Sequence, residues 1–200
     1  MNETWNFDLP AFGEIPNVGL FLEQTTRYIN TYLQDLGFAP LTNSMLSNYV
    51  KKKLVKNPVR KMYDREQIAV VIFIAVAKQV LALEDVQLLL GMQQEHYTTQ
   101  EAYDYFRTAL QQELQYVFGE EAAGDGQEGA MTAEAQTGKK LSKAGNAEND
   151  RPLVTEENHD TEEGDRAGAG EAEERTLLRN VTRAIAYQVY LEKYLQKIRG

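Results

Sequence analysis

The chain has no cysteine among its 200 residues. Disulfide frameworks, zinc–thiolate sites and cysteine nucleophiles are therefore excluded. Histidine is scarce as well, with only His96 and His159. No Ser/His/Asp set, metal-ligand cluster or glycine-rich phosphate loop can be assembled from the spacing, so the expectation is a non-enzyme without cofactor or metal. Long apolar runs are missing too. The longest, Ile68 to Ala77, is ten residues, against about 20 needed to cross a bilayer. The N-terminus carries acids and early prolines where a signal peptide has a basic region and then an apolar one. No membrane partner and a cytoplasmic location are expected.

Aromatic residues vanish from one stretch. Glu120 to Arg175 has no Phe, Tyr or Trp, and its only large apolar residues are Met131, Leu141, Leu153 and Val154. It carries 16 acids and 6 bases. Such a composition cannot bury enough apolar surface to offset ordering entropy, so the segment reads as disordered. The whole chain stands at −9 and this segment at −10, which leaves +1 for the rest. Three parts follow: a helical domain over 1–118, an acidic linker over 119–173 and a C-terminal helix over 174–199.

Acids are nearly absent from another stretch. Between Thr42 and Arg65 stand Lys51, Lys52, Lys53, Lys56, Arg60, Lys61 and Arg65, with Asp64 the only acid. A run of this sign in an acidic protein is a solvated helix end or a footprint for a polyanion. The stretch reads as helix, turn, helix. Thr42 suits an N-cap. Leu46, Tyr49, Val50 and Leu54 recur at three and four and form one buried face. Asn43, Ser44, Ser47, Asn48, Lys51 and Lys52 then point outward, a hydrogen-bonding face that becomes basic and suits base edges and phosphates. Pro58 breaks the helix. Asp64 with Gln67 forms a capping box that starts the next one.

Before this stretch, Trp5 to Pro16 reads as an extended arm whose aromatics dock on the domain. A stacking platform for single strands needs interleaved basic residues, and none is present. Asn17 can cap a first helix ending at Gly37, with Val18, Leu22, Ile29, Tyr32 and Leu36 as its core stripe. After the basic stretch, Asp64 to Leu81 is apolar on all sides, as expected of a central helix. Leu83 to Leu90 is a short helix ending at Gly91, which leaves His96 in a loop. Thr98 and Glu101 cap a helix bearing Tyr103, Phe106, Leu110, Leu114 and Val117. In the final helix, from about Glu173, Leu178, Val181, Ile185 and Val189 together with Leu177, Ala184, Leu191, Leu195 and Ile198 make one wide apolar surface. It either folds back on the domain or pairs with a second copy.

The order of features resembles the MerR-type winged helix-turn-helix. Leu46 and Tyr49 match buried positions, Leu54-Val55 the close of the recognition helix, and Pro58, Arg60 and Lys61 the wing. Tyr63 matches the wing tyrosine, and Leu83-Glu84-Asp85-Val86 precedes Leu88-Leu89-Leu90. The wing is shorter than usual, and Lys53 stands where that family prefers glycine. Over Leu9 to about Phe118, the pieces LPAFGEIP, LTNSMLSNYVKKKLV and MYDREQIAVVIFI resemble the bacterial DUF1836 family, regarded as DNA-binding. The resemblance implies an all-α, MerR-like fold with a helix-turn-helix and short wing, and a transcriptional regulator of double-stranded DNA. Its DNA-binding residues would be Asn43, Ser44, Ser47, Asn48, Lys51, Lys52, Arg60, Lys61 and Tyr63. It also favours a homodimer through the C-terminal helix. The alternative is a non-catalytic protein-interaction module on the same helices.

Overall fold

In the computed structural model, residues 8–123 and 162–199 are described. Six helices and one two-stranded sheet run in the order β1 Leu20–Phe21, α1 Leu22–Asp35, α2 Asn43–Lys51, β2 Met62–Tyr63, α3 Arg65–Ala77, α4 Leu83–His96, α5 Thr99–Ala123 and α6 Glu162–Arg199. The fold is thus mostly helical.

α3 is the centre, as its all-round apolarity requires. Every residue from Ile68 to Ala77 except Val70 is buried. Phe73 meets Phe106 of α5 edge-on, with ring centroids 4.9 Å apart. The arm packs on the same core through Leu9, Phe12 and Ile15. Its backbone is held by side chains from distant helices. Tyr103 Oη donates to the Pro10 carbonyl at 2.8 Å, Arg107 Nε to Leu9 at 2.7 Å and Arg65 Nε to Ile15 at 2.8 Å. Arg65 also lies over the Phe12 ring, 5.7 Å from its centroid. Trp5 and Phe7 fall outside the described residues.

α6 buries only part of its wide apolar surface. Leu178, Val181, Ile185, Ala186 and Val189 join the core, at 0–5 % exposure. The chain's own α5 is the main neighbour of this face, and Arg183 forks onto Glu113 of α5 at 3.1 and 3.3 Å. The helix therefore folds back on its own domain. Leu177, Leu191, Leu195 and Ile198 remain exposed, together with Tyr187 and Tyr194.

Four expectations are corrected. α1 starts at Leu22, not near Asn17, because Leu20 and Phe21 pair antiparallel with Tyr63 and Met62. Val18 is left 71 % exposed, outside the stripe. α4 runs through Gly91 to His96, so His96 ends a helix and does not lie in a loop. A glycine inside a helix costs only about 1 kcal/mol relative to Ala, and the burial of Val86, Leu89 and Leu90 on the same helix outweighs it. α3 closes at Ala77 and not at Leu81. α6 begins at Glu162, well before Glu173; the Ala- and Glu-rich sequence from 166 to 174 consists largely of good helix formers. The acidic linker between 124 and 161 lies outside the described residues.

Candidate nucleic-acid interface

α2 is short, so its position depends on what holds its ends. Thr42 Oγ1 accepts from Met45 N at 3.2 Å, an N-cap as the sequence indicates. The loop before it is clipped by Asn30 of α1. Asn30 Nδ2 donates to the Leu41 carbonyl at 3.0 Å, and Leu41 N donates to Asn30 Oδ1 at 2.7 Å. Thr26 Oγ1 then donates to Asn43 Oδ1 at 2.9 Å. Leu46 and Tyr49 are 0 % and 3 % exposed and fix the roll of the helix.

That roll turns Ser44, Ser47, Asn48 and Lys51 to solvent. None of the four makes a side-chain hydrogen bond among the described residues. Asn43 differs: it is half-buried, and its oxygen is held by Thr26. It positions α2 against α1. Lys52 is exposed but paired, its Nζ 3.2 Å from Glu84 Oε1. Glu84 is held below the usual carboxylate range by a backbone N–H at the start of α4 and then by Lys52.

The end of α2 is a Schellman motif. Leu54 N donates to the Tyr49 carbonyl and Lys53 N to that of Val50. This closure needs a left-handed residue, and Lys53 supplies it at φ 61°. A lysine therefore takes the conformation that glycine takes most readily.

The segment that follows is a hairpin. Buried Gln67 donates to the carbonyls of Lys56 and Asn57, at 2.9 and 3.1 Å. Val59 and Met62 then bridge, with Met62 N donating to Val59 O at 2.9 Å. The two residues between them, Arg60 and Lys61, have φ of 50° and 65°. Two consecutive positive φ angles define a type I′ turn, which normally selects Asn-Gly. Here the tip consists of two exposed cations in a conformation that disfavours them. The hairpin's second strand lies against β1, where only Gly19 fits: a Cβ there would come within 2.8 Å of Met62 Cβ.

Tyr63 does not face a ligand. It is 4 % exposed and inside the core, with its hydroxyl pKa raised by burial. Its ring anchors β2 rather than reaching a phosphate. Arg65, though part of the basic run, is committed to the arm. Lys51, Lys53, Lys56, Arg60 and Lys61 are exposed, and none has an ion-pair partner among the described residues. Asn30, Thr26 and Gln67 were missed as positioning residues. Asn30 left one signal, a polar amide in a helix interior where Asn is disfavoured.

Fold and site together define a small helical domain that presents a polar helix face and a cationic hairpin. Residues 10–106 match the family model described as "Domain of unknown function (DUF1836)". The match runs from Pro10 in the arm through the interface to Phe106 in the first third of α5, and it supports the DUF1836 resemblance drawn from those segments. No curated protein and no solved structure matches the chain. No described helix is long and apolar enough to cross a membrane.

Proposed function

We propose that this protein binds double-stranded DNA and regulates transcription, with α2 as a recognition helix and the 56–63 hairpin as a short wing. The observation that carries the reading is the unsatisfied cationic surface. Between Lys51 and Lys61 five cations lie exposed and, among the described residues, without an ion-pair partner, two of them at the tip of a strained turn. Backbone strain of this kind clusters at functional sites. Ser44, Ser47 and Asn48 supply short donors and acceptors for base edges, while Lys51, Arg60 and Lys61 supply phosphate contacts. Lys52 joins them by exchanging Glu84 for phosphate, since an exposed ion pair is worth at most about 1 kcal/mol. The α1–α2 connection, residues 36–42, is longer than the turn of about three to four residues in a minimal helix-turn-helix. The Asn30 clip does the work of a short turn.

In this reading the protein acts as a homodimer. With one face of α6 buried, the exposed positions Ala184, Tyr187, Leu191, Tyr194 and Ile198 fall on a repeat of three and four, the seam of a two-helix coiled coil. Two copies would offer two α2 helices to two half-sites.

The test is a gel shift or anisotropy titration against total genomic fragments at two salt concentrations. A binding constant that falls steeply with salt is expected. Absence of binding at low salt would leave the cationic face to an acidic protein partner, the reading of an interaction module.

A further inference from the structure

The register of the small sheet sorts its side chains onto two faces. Leu20 stands opposite Tyr63, and Phe21 opposite Met62. Residues directly opposite in an antiparallel pair share a face, and successive residues alternate. Leu20 and Tyr63 take the inner face: Tyr63 is buried and Leu20 packs on the core. Phe21 and Met62 therefore take the outer one. Val59 bridges Met62 from the other side and joins them there. The close approach at Gly19 agrees, since a Cβ there would lie 2.8 Å from Met62 Cβ and 3.4 Å from its sulfur. The Met62 side chain thus lies across the chain two residues before Phe21, on the same face.

A sheet with one face on the core normally turns polar residues to water on the other. Here the outer row is Phe21, Met62 and Val59, with Phe21 53 % and Val59 70 % exposed. None of the three packs on the core. Single exposed apolar residues need no explanation, whereas a contiguous group with a polar rim marks an interaction surface. The rim here is cationic. Residues 56–63 carry Lys56, Arg60 and Lys61 and no acid, and residues 15–22 carry no charge at all. Apolar and cationic groups side by side suit a polyanion with an apolar interior, as duplex DNA is with its stacked bases inside its phosphates. Width decides how they could meet. Strands about 4.8 Å apart make the row about 10 Å across. The minor groove of B-DNA is about 6 Å wide. The row fits only where the groove is opened, and apolar side chains open it by wedging at a base step.

We propose that the outer face of this sheet is an apolar wedge that opens the minor groove beside the groove holding α2, and so bends the DNA. Phe21, Met62 and Val59 face the opened base step, while Arg60 and Lys61 hold phosphates at its edge. The inference rests on the DNA reading above and deepens it. α2 reads base edges, and the sheet selects sequences that unstack easily.

Two short duplexes of the same mixed sequence test this on the full chain, one fully paired and one with adjacent central T·T mismatches. A mismatched step is already partly unstacked, so a wedge has less to open. In anisotropy titrations the parent should bind the mismatched duplex at least about tenfold more tightly. Energy transfer between dyes at the two ends should show the paired duplex bent in the complex. Phe21→Ser, alone and with Val59→Thr, should lose most of that preference and of the bend. The salt slope should stay as it is, because no charge is removed. Neither change threatens folding: both positions are exposed, serine suits the N-cap place that Phe21 holds, and threonine keeps the β-branch of valine. Arg60→Gln should do the reverse, flattening the salt slope by about one and keeping the preference. Equal affinity of the parent for the two duplexes, or a preference that survives in the double variant, would overturn the wedge and leave the DNA reading standing. Binding to neither duplex at low salt would overturn both and hand the apolar row to a protein partner.

Discussion

The turn at Arg60-Lys61 allows stability and function to be separated by one double substitution. Both residues hold a left-handed backbone, at φ 50° and 65°. For a residue with a Cβ that conformation costs roughly 1–2 kcal/mol. Arg60→Asn with Lys61→Gly installs the pair that a type I′ turn prefers. Relief of strain is partly offset by the greater unfolded-state freedom of glycine, roughly 0.5–1 kcal/mol. The net gain should be about 1 kcal/mol, which for a chain of this size raises Tm by roughly 2–4 °C. Two cations disappear at the same time. If both contact phosphates, the slope of log K against log salt should flatten by about two. The variant should thus be more stable and a weaker DNA binder. Thermal unfolding by circular dichroism and anisotropy at four salt concentrations measure the two quantities on one sample. A lower Tm would refute the strain reasoning. A higher Tm with an unchanged salt slope would remove the hairpin from the DNA interface.

Lys52→Ala should weaken binding to all DNA sequences alike and lower the salt slope by about one. Glu84→Gln, which frees Lys52, should strengthen non-specific binding; unchanged binding in both variants would show that Lys52 never meets DNA. Asn48→Ala should cost about 1–3 kcal/mol on a selected site and much less elsewhere, measurable as a ratio of specific to competitor affinity. Leu191→Glu should convert the full chain to a monomer in sedimentation equilibrium without lowering Tm, because Leu191 is 51 % exposed; a parent chain that is already monomeric at micromolar concentration would end the dimer reading. Burial raises the hydroxyl pKa of Tyr103, with smaller contributions from nearby charges, and likewise that of Tyr28, where a hydrogen bond to Tyr32 adds to it. A raised folded pKa favours the neutral form, so this stability is fully present below about pH 10, the ordinary tyrosine pKa, and is lost as pH rises above it. Urea midpoints should therefore fall between pH 9 and pH 11, about the tyrosine range, and a flat profile would contradict the burial of these hydroxyls.

Local chemistry was legible where a residue type has one dominant use. Thr42, Asp64 with Gln67, and Thr98 with Glu101 cap helices because each side-chain oxygen sits within reach of an N–H left unpaired at a helix start. Gly37 marked the end of α1 because its φ of 78° suits glycine. The apolar run in α3 marked the centre of the fold, and the alternation of polar and apolar positions in α2 gave its outward face. Where two readings share one local signal, the sequence misled. Gly91 looked like a terminator, yet it lies inside α4, where an added Cβ would find open space, so the position does not require glycine. Tyr63 looked like a wing contact, while its register opposite Leu20 carries it into the core.

Long-range pairing decided the rest. The Asn30 clip, the Thr26–Asn43 bond and the Gln67 anchor depend on which segments meet, and composition does not encode that. The turn at Arg60-Lys61 carries no Asn or Gly and so left no local mark. It exists because β2 must lie against β1, with Gly19 giving way to Met62. The wide apolar surface of α6 was plain from its spacing alone. Which part of it turned inward was decided by α5, because only one face of a straight helix can lie against one neighbour. The sequence by itself determined helical content, caps, charge and the polar face of α2. Tertiary structure decided which cations stay unpaired, which tyrosines are buried and which side of α6 is left for another molecule.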